Sequence, residues 1–388
     1  MIKANYPTEK FTALQTPFYY YDLELLRNTL ESIKKINLPK NYEVHYALKA
    51  NVNPEVLKTI REAGLGADCV SGGEVQAALD AGFSNSKIVF AGVGKADWEI
   101  NLALDNDIYC FNVESVPELE VINELAEAKN KTAKIALRIN PNVSAHTHKY
   151  ITTGLNENKF GINMEDLESV IGLLPTLRNI QFIGIHFHIG SQITDMTSFH
   201  NLCVKIDEVQ ELFVKNNVEI SDINVGGGLG VNYQHPNHFP IAEFEMYFST
   251  YMDHLNLNPG QKLHFELGRA IVAQCGSLIS KVLYIKKGKE KQFAILDAGM
   301  TDLIRPALYQ AYHRIENLSS DGATEIYDVV GPICESSDVF AENAELNSTK
   351  RGDLIALRTA KTYGEIMTSR YNLRKIPTAY TSDQLNGR

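Results

Sequence analysis

Between residues 42 and 266 the chain alternates short apolar runs with longer stretches of helical period. The short runs are YEVHYAL (42–48), GADCV (66–70), KIVFAG (87–92), IYCFNV (108–113), KIALRIN (134–140), FIGIHFHIG (182–190), DINVGG (222–227) and KLHFE (262–266). Runs of this length, rich in Val, Ile, Phe and Tyr, read as strands. Between them, PEVLKTIREAG places Pro54 in a first helical turn and Gly64 at the stop. GGEVQAALDAG and SVPELEVINELAEAK repeat the theme. Eight strand–helix units predict an α/β fold, closed as a (β/α)8 TIM barrel of about 250 residues. A doubly wound open sheet would alternate in the same way, because a strand count does not show closure. The polar residues favour the barrel. Lys49, Asp68, Arg138, His188, Gly226 to Gly228 and Glu266 fall at or just past the C-terminal ends of these runs, the ends that converge on one face of a barrel.

Past residue 267 the rhythm changes. LISKVLYIKKG, QFAILDAG and DLIALRTA read as strands without helices between them, which predicts an all-β domain. The expected division is a barrel over 23–266 and a C-terminal β domain over 267–388. The lone run TPFYYYD (16–22) suggests that residues 1–22 add a strand to the β domain.

Composition narrows the class. The 388 residues are 44% apolar and 22% charged, with a net charge of −10, ordinary for a globular protein and unsuited to a phosphate backbone. Nucleic acid is therefore not an expected partner. Cys69, Cys110, Cys203, Cys275 and Cys334 are odd in number and form no CxxC pair, which fits a reducing compartment better than a disulfide framework or a zinc site. MIKANYPTEK has no apolar leader, and no apolar run of membrane-spanning length follows. The expectation is a soluble cytoplasmic protein without membrane association.

The candidate chemistry starts with HYALKAN, where Lys49 ends an apolar strand. It is either the first solvated residue or an amine held for nucleophilic work. GGGLG (226–230) lets backbone N–H groups approach an anion, or forms a plain tight turn. Val231 excludes the dinucleotide fingerprint. HFHIGS sets His186 and His188 two apart, and HTH at 146–148 offers a second pair, so a metal-dependent barrel hydrolase is an alternative. ELGR joins Glu266 to Arg269, and RPALYQ sets Arg305 and Tyr309 one helical turn apart. GPICESSDVFA (331–341) packs Cys334, Glu335 and Asp338 behind Gly-Pro, where Cys334 would otherwise be a small buried filler.

In this order, HYALKAN, HFHIGS, GGGLG, ELGR, GPICESSD and TYG (362–364) resemble the fold-type III pyridoxal-phosphate decarboxylases of basic amino acids. The likeness runs from about residue 16 to 374. It implies a barrel of alanine-racemase type, pyridoxal 5'-phosphate as cofactor and Lys49 as the lysine that carries it. Glu266 would face the cofactor's ring nitrogen, His188 its ring and Asp68 the region of Lys49. Ser191, Gly226, Gly227, Gly228, Leu267, Gly268, Arg269 and Tyr363 complete the implied cofactor site. Arg269, Arg305, Tyr309, Glu335 and Tyr363 match substrate positions. Cys334 matches the proton donor, which in this family enters from a partner subunit, so a homodimer with shared active sites is implied. Leu267 and Ser337 depart from the commoner proline and glycine of the family without removing a functional group.

Residues 138–162, and Glu335 directly after Cys334, resemble the branch whose substrate keeps a second amino-acid end. The expected reaction is decarboxylation of meso-2,6-diaminopimelate to L-lysine and CO2. The distal end carries a carboxylate and an ammonium, which Arg305 and Glu335 would match. The alternatives are another basic amino acid (ornithine, lysine or carboxynorspermidine) or a catalytically silent relative, the latter disfavoured by the presence of Lys49, Glu266, Cys334 and Glu335.

Overall fold

The computed structural model describes residues 6–143, 159–360 and 362–387. The HTH pair at 146–148 lies outside them. The chain divides into two compact units, residues 31–230 with 243–269, and residues 1–30 with 231–242 and 270–388.

Strand β1 (Phe18–Tyr21) precedes the barrel strands β2 (Tyr42–Ala47), β3 (Gly66–Cys69), β4 (Ile88–Phe90), β5 (Cys110–Val113) and β6 (Ala133–Asn140). The short β7 (Ile162–Asn163) pairs with β6, and β8 (Ile180–His186), β9 (Asp222–Asn224) and β10 (Lys262–Leu267) complete the set. All pairings in this sheet are parallel. The sheet closes because β2 pairs with both β3 and β10, and β5 with both β4 and β6. The open-sheet alternative is thereby excluded. The two-residue period of each strand separates the faces. Phe265 points outward into Phe248, Tyr251 and Tyr247, with ring centroids 5.0, 5.3 and 5.8 Å away, all on the helix Phe244–His254. Its neighbours His264 and Glu266 are inward, buried and polar. This barrel thus keeps charged and amide groups where aliphatic layers usually fill the interior.

In the other unit the strands are β11 (Gly276–Lys287), β12 (Gln292–Leu296), β13 (Ile315–Asn317), β14 (Thr324–Val330), β15 (Val339–Asn347), β16 (Leu354–Leu357) and β17 (Thr378–Thr381). They run in the order β13-β16-β11-β12-β14-β15. β1 lies antiparallel to β11 and parallel to β17. Its Phe18 and Tyr20 pack with Phe11, Ile279, Leu354 and Ala356 in one apolar cluster. Residues 231–242, inside the expected barrel span, group with this unit. Gln274 Nε2 donates to the carbonyls of Pro236 and His238 at 2.9 and 2.5 Å, and an Arg358 Nη2 reaches Asn237 at 3.2 Å. Among the described residues no helix is long and apolar enough to cross a membrane.

Candidate active site

Lys49 stands in a single 3-10 turn, Leu48–Ala50, directly after β2. It is half-buried between fully buried Leu48 and Ala50, so it is not simply a solvated residue past a strand. The turn is seated from two sides. Tyr46 donates its hydroxyl to the carbonyl of Asn51 at 2.9 Å. At the end of β10, Gly268 leaves only enough room for the turn, since a Cβ there would lie 3.2 Å from that of Ala47 and 3.1 Å from that of Ala50. Leu267 before it is a buried apolar residue paired in register with Tyr46.

Glu266 is held by three donors. Its Oε1 accepts from Asn224 Nδ2 at 2.8 Å and Asn112 Nδ2 at 3.2 Å, and its Oε2 accepts from His186 Nε2 at 3.2 Å. Burial by itself would raise this carboxyl, but the hydrogen-bonded ring of His186, with the charge of Lys49 beyond it, outweighs burial and holds it well below the usual carboxylate range. A buried carboxylate with three donors is an anion made ready for a cationic partner.

His186 and His188 do not act as a pair. β8 ends at His186, which turns to Glu266. His188 lies in the following loop, where its Nδ1 accepts the Gly227 N–H at 3.2 Å. Burial, then the charges of Lys49 and Arg138, hold its imidazole well below its normal pKa, so it is neutral. Among the described residues the one three-donor group of metal-ligand type lies elsewhere, at Glu43, His45 and His264.

Asp68 ends near the tip of β3 and is fully buried, with its Oδ1 lacking a hydrogen-bond partner. Burial and the charge of Glu266 push its carboxyl well up, against the pull of Lys49. Arg138 on β6 is fixed by Glu114, whose Oε1 it meets at 2.5 Å. The same carboxylate accepts the N–H of Gly92 at 3.2 Å and of Gly161 at 3.0 Å, tying three loops at the C-terminal rim.

The glycine run after β9 is a close-packed backbone more than a free turn. A Cβ on Gly227 would lie 2.0 Å from the carbonyl oxygen of Glu266, and Gly226 has φ of +69° with a virtual Cβ 2.3 Å from the Phe187 oxygen. A side chain at Gly227 would push β10 and Glu266 away, and one at Gly226 would push the loop that carries His188. Arg269, buried at the start of the next short helix, donates to Ser191 Oγ at 3.0 Å. Glu266, three residues earlier, turns instead to the amides of Asn112 and Asn224 and to His186.

In the β unit, Arg305 is buried in the helix Arg305–Tyr309 and donates to the Thr362 carbonyl at 3.0 Å, next to half-buried Tyr363. Tyr363 has φ of +58°, and Gly364 follows because a Cβ there would lie 2.0 Å from the Ala360 oxygen. The loop 331–338 is tied from within by Asp338, which accepts from the N–H groups of Ile333 at 2.7 Å and Met300 at 2.5 Å. That anchor presents Cys334 and Glu335 outward. Both are exposed, Cys334 being so while Cys69, Cys110, Cys203 and Cys275 are buried. The buried-filler reading of Cys334 therefore fails. Glu335 accepts from Tyr371 at 2.5 Å.

The barrel rim thus offers an amine, a held carboxylate, a neutral imidazole, and a glycine loop with an arginine and a serine that suit a phosphate. Asn112, Asn224 and Glu114 had no visible signal in the sequence, and His186 stood out only as half of a metal-type pair with His188. The only hint was their place at strand ends, shared with structural residues.

Residues 24–273 match the family model of the pyridoxal-dependent decarboxylase, pyridoxal binding domain. A diaminopimelate decarboxylase of Bacteroides thetaiotaomicron is 62% identical over 385 residues, covering 99% of this chain and 100% of that protein. The crystal structure of diaminopimelate decarboxylase from Helicobacter pylori complexed with L-lysine matches with a TM-score of 0.91 at 37% identity, over 97% of this chain and 94% of that one. The enzyme from M. jannaschii in co-complex with L-lysine matches at 0.88 and 34%, over 97% and 89%. On a barrel whose rim is built around Lys49 and a triply held Glu266, these likenesses show that the chain belongs to the diaminopimelate decarboxylase family of pyridoxal-dependent decarboxylases.

Proposed function

We propose that the protein decarboxylates meso-2,6-diaminopimelate to L-lysine and CO2 with pyridoxal 5'-phosphate as cofactor. The observation that carries the reading is the carboxylate of Glu266, held ionised by Asn112, Asn224 and His186 on the strand beside the Lys49 turn. The residues fit the cofactor in its parts. Gly226, Gly227, Gly228, Ser191, Arg269 and Tyr363 suit its phosphate, His188 its ring and Asp68 the neighbourhood of Lys49, with Leu267 and Gly268 seating the turn. When bound, the cofactor accepts the electron pair left as CO2 departs.

The chain's own groups then have defined work. Lys49 supplies the amine that attaches the cofactor. Glu266 keeps a proton on the ring nitrogen, where exclusion of water strengthens the pairing. Cys334 returns a proton to the carbon that has lost its carboxylate. Arg269, Arg305, Tyr309, Glu335 and Tyr363 hold the substrate, with Arg305 and Glu335 matching the carboxylate and ammonium of its distal end. The working unit is a homodimer in which Cys334 and Glu335 serve the partner's site, a reading supported by their exposure. A cytoplasmic location accords with its five thiols.

The test of cofactor attachment is direct. Borohydride treatment of the purified protein should bleach its visible absorption and leave the cofactor's mass on the peptide containing Lys49. A label on any other lysine, or no chromophore, sinks the assignment.

Substrate choice is tested through Glu335 and Arg305. A hydrogen bond to a charged group contributes roughly 1.5–3 kcal/mol, so Glu335→Gln should cut selection against substrates lacking the distal ammonium by about 10- to 150-fold in kcat/KM. Arg305→Met should narrow the preference for diaminopimelate over lysine. The measurement is kcat/KM for meso-diaminopimelate, lysine, ornithine and 2-aminopimelate, the last of which lacks the distal ammonium. A wild type that prefers ornithine or lysine defeats the reading. Unchanged selectivity in both variants defeats only the distal-site residues.

A further inference from the structure

The two strands that bear the proposed chemistry also share a second buried group. His45 stands on β2 four residues before Lys49, and His264 on β10 two residues before Glu266; both are buried. His45 Nε2 and His264 Nδ1 lie 3.0 Å apart, the rings tilted by 32°. The fold makes room for the pair. Gly66 on β3 faces it, and a Cβ there would lie 2.3 Å from His45 Nδ1.

The outer nitrogens decide where the protons are. His45 Nδ1 meets the carbonyl of Lys87 at 3.2 Å, a group that can only accept. His264 Nε2 meets Asp222 Oδ1 at 2.8 Å. Asp222 also accepts from Ser221 Oγ at 2.5 Å and from the Tyr109 hydroxyl. Burial would raise its carboxyl, but the bonds from His264, Ser221 and Tyr109 prevail and hold it below its usual value, as a carboxylate. Both outer nitrogens must therefore carry hydrogen. If both rings were neutral, two bare lone pairs would face each other across 3.0 Å. Something cationic must lie between them.

We propose that one proton bridges the pair, with His264 the imidazolium and His45 the neutral ring, and that this clamp positions the strand carrying Lys49 against the strand carrying Glu266. The clause about Lys49 and Glu266 rests on the function proposed above. The charge of His264 is balanced by Asp222. Burial, then the charge of His264, lowers the His45 pKa to about 3, against the pull of Glu266, so His45 is the neutral partner. The other charged groups at the seam are paired among themselves: Lys262 on β10 is 3.7 Å from Glu43 on β2, and Lys262 and Lys134 lie over the Tyr109 ring. The register pairs His45 with Glu266 and His264 with Glu43. A slip of one residue would turn β10 inside out, and a slip of two would break the imidazole contact and the Asp222 pair together. The clamp thus makes register between β2 and β10 a matter of hydrogen bonding as well as packing.

The test uses the cofactor-loaded enzyme labelled with 15N-histidine, together with His45→Gln and His45→Leu. Wild type should show one fully protonated ring and one neutral ring with its proton on Nδ1, both altered in the variants, and no metal by elemental analysis. Two neutral rings, or one equivalent of a divalent ion shared by Glu43, His45 and His264, would overturn the proton bridge whatever the enzyme's substrate. Glutamine can accept from His264 and donate to Lys87, so His45→Gln should keep kcat within about 3-fold, whereas His45→Leu should lose at least about 10-fold in kcat with KM little changed and a shifted cofactor absorption, the scale of a sub-ångström misplacement. Wild-type kcat per cofactor-bearing site in His45→Leu would overturn the positioning role. If that variant does not fold, the histidine spectrum and the rescue by His45→Gln decide, and a His45→Gln enzyme below a tenth of wild type counts against the clamp.

Discussion

Subunits carrying Lys49→Ala and subunits carrying Cys334→Ala, each inactive alone, are expected to regain about one quarter of wild-type activity when mixed. The value follows from a two-fold dimer whose sites each take Lys49 from one chain and Cys334 from the other. Random exchange makes half the dimers mixed, and each mixed dimer has one intact site and one with both defects. Lys49 belongs to the barrel unit and Cys334 to the β unit, and Cys334 is the exposed thiol of the chain's described cysteines. The measurement is lysine production after subunit exchange, with exchange verified by mass-tagged chains. Activity no greater than that of the parents, once exchange is verified, means that both residues act within one chain.

Glu266→Ala should leave a folded protein that still reacts with borohydride at Lys49 yet decarboxylates at least about 10²-fold more slowly, the loss typical of removing one preorganised electrostatic partner. Glu266→Gln keeps the size and loses the charge, so it should fall with the alanine variant. If glutamine restores turnover, shape and not charge is what the site requires. The carboxyl of Glu266 also has a signature in pH. Because its folded pKa is depressed, its contribution to stability is present above the unfolded value and is lost as pH falls through the folded one. Asp68 has the opposite sign: its raised carboxyl disfavours the folded state as pH rises past the unfolded value. Removing Glu266 should therefore weaken the acid-side loss of stability in a melting series, and an unchanged acid limb would show that its ionisation is not coupled to folding.

Much of this was legible along the chain because strand period and strand ends are local properties. The eight barrel runs, the glycine and proline stops, the change of rhythm near residue 267 and the lone strand at 18–21 all follow from short-range pattern. Lys49 and Glu266 stood out because a charged residue ending an apolar run needs a reason. The motif order then supplied the family, since a lysine, a glycine loop and a glutamate at three strand ends are set by what one cofactor requires.

What the pattern could not decide is which strand ends face which. β2 and β10 are separated by over two hundred residues of sequence and lie side by side only because the sheet closes. Pairing of β9 with β10 sets Asn224 beside Glu266, and closure brings Asn112 and His186 onto it from across the barrel; the short range of hydrogen bonds makes these partners invisible until strands are paired. The same holds for His186, whose spacing from His188 suggested a metal pair. The strand ends between them, and one ring turns into the barrel while the other meets the glycine loop. The sequence by itself determined the elements and the residue types at their tips, because those depend on neighbours along the chain. Only the tertiary structure decided the protonation and partnership of those tips, because burial and charge act through space.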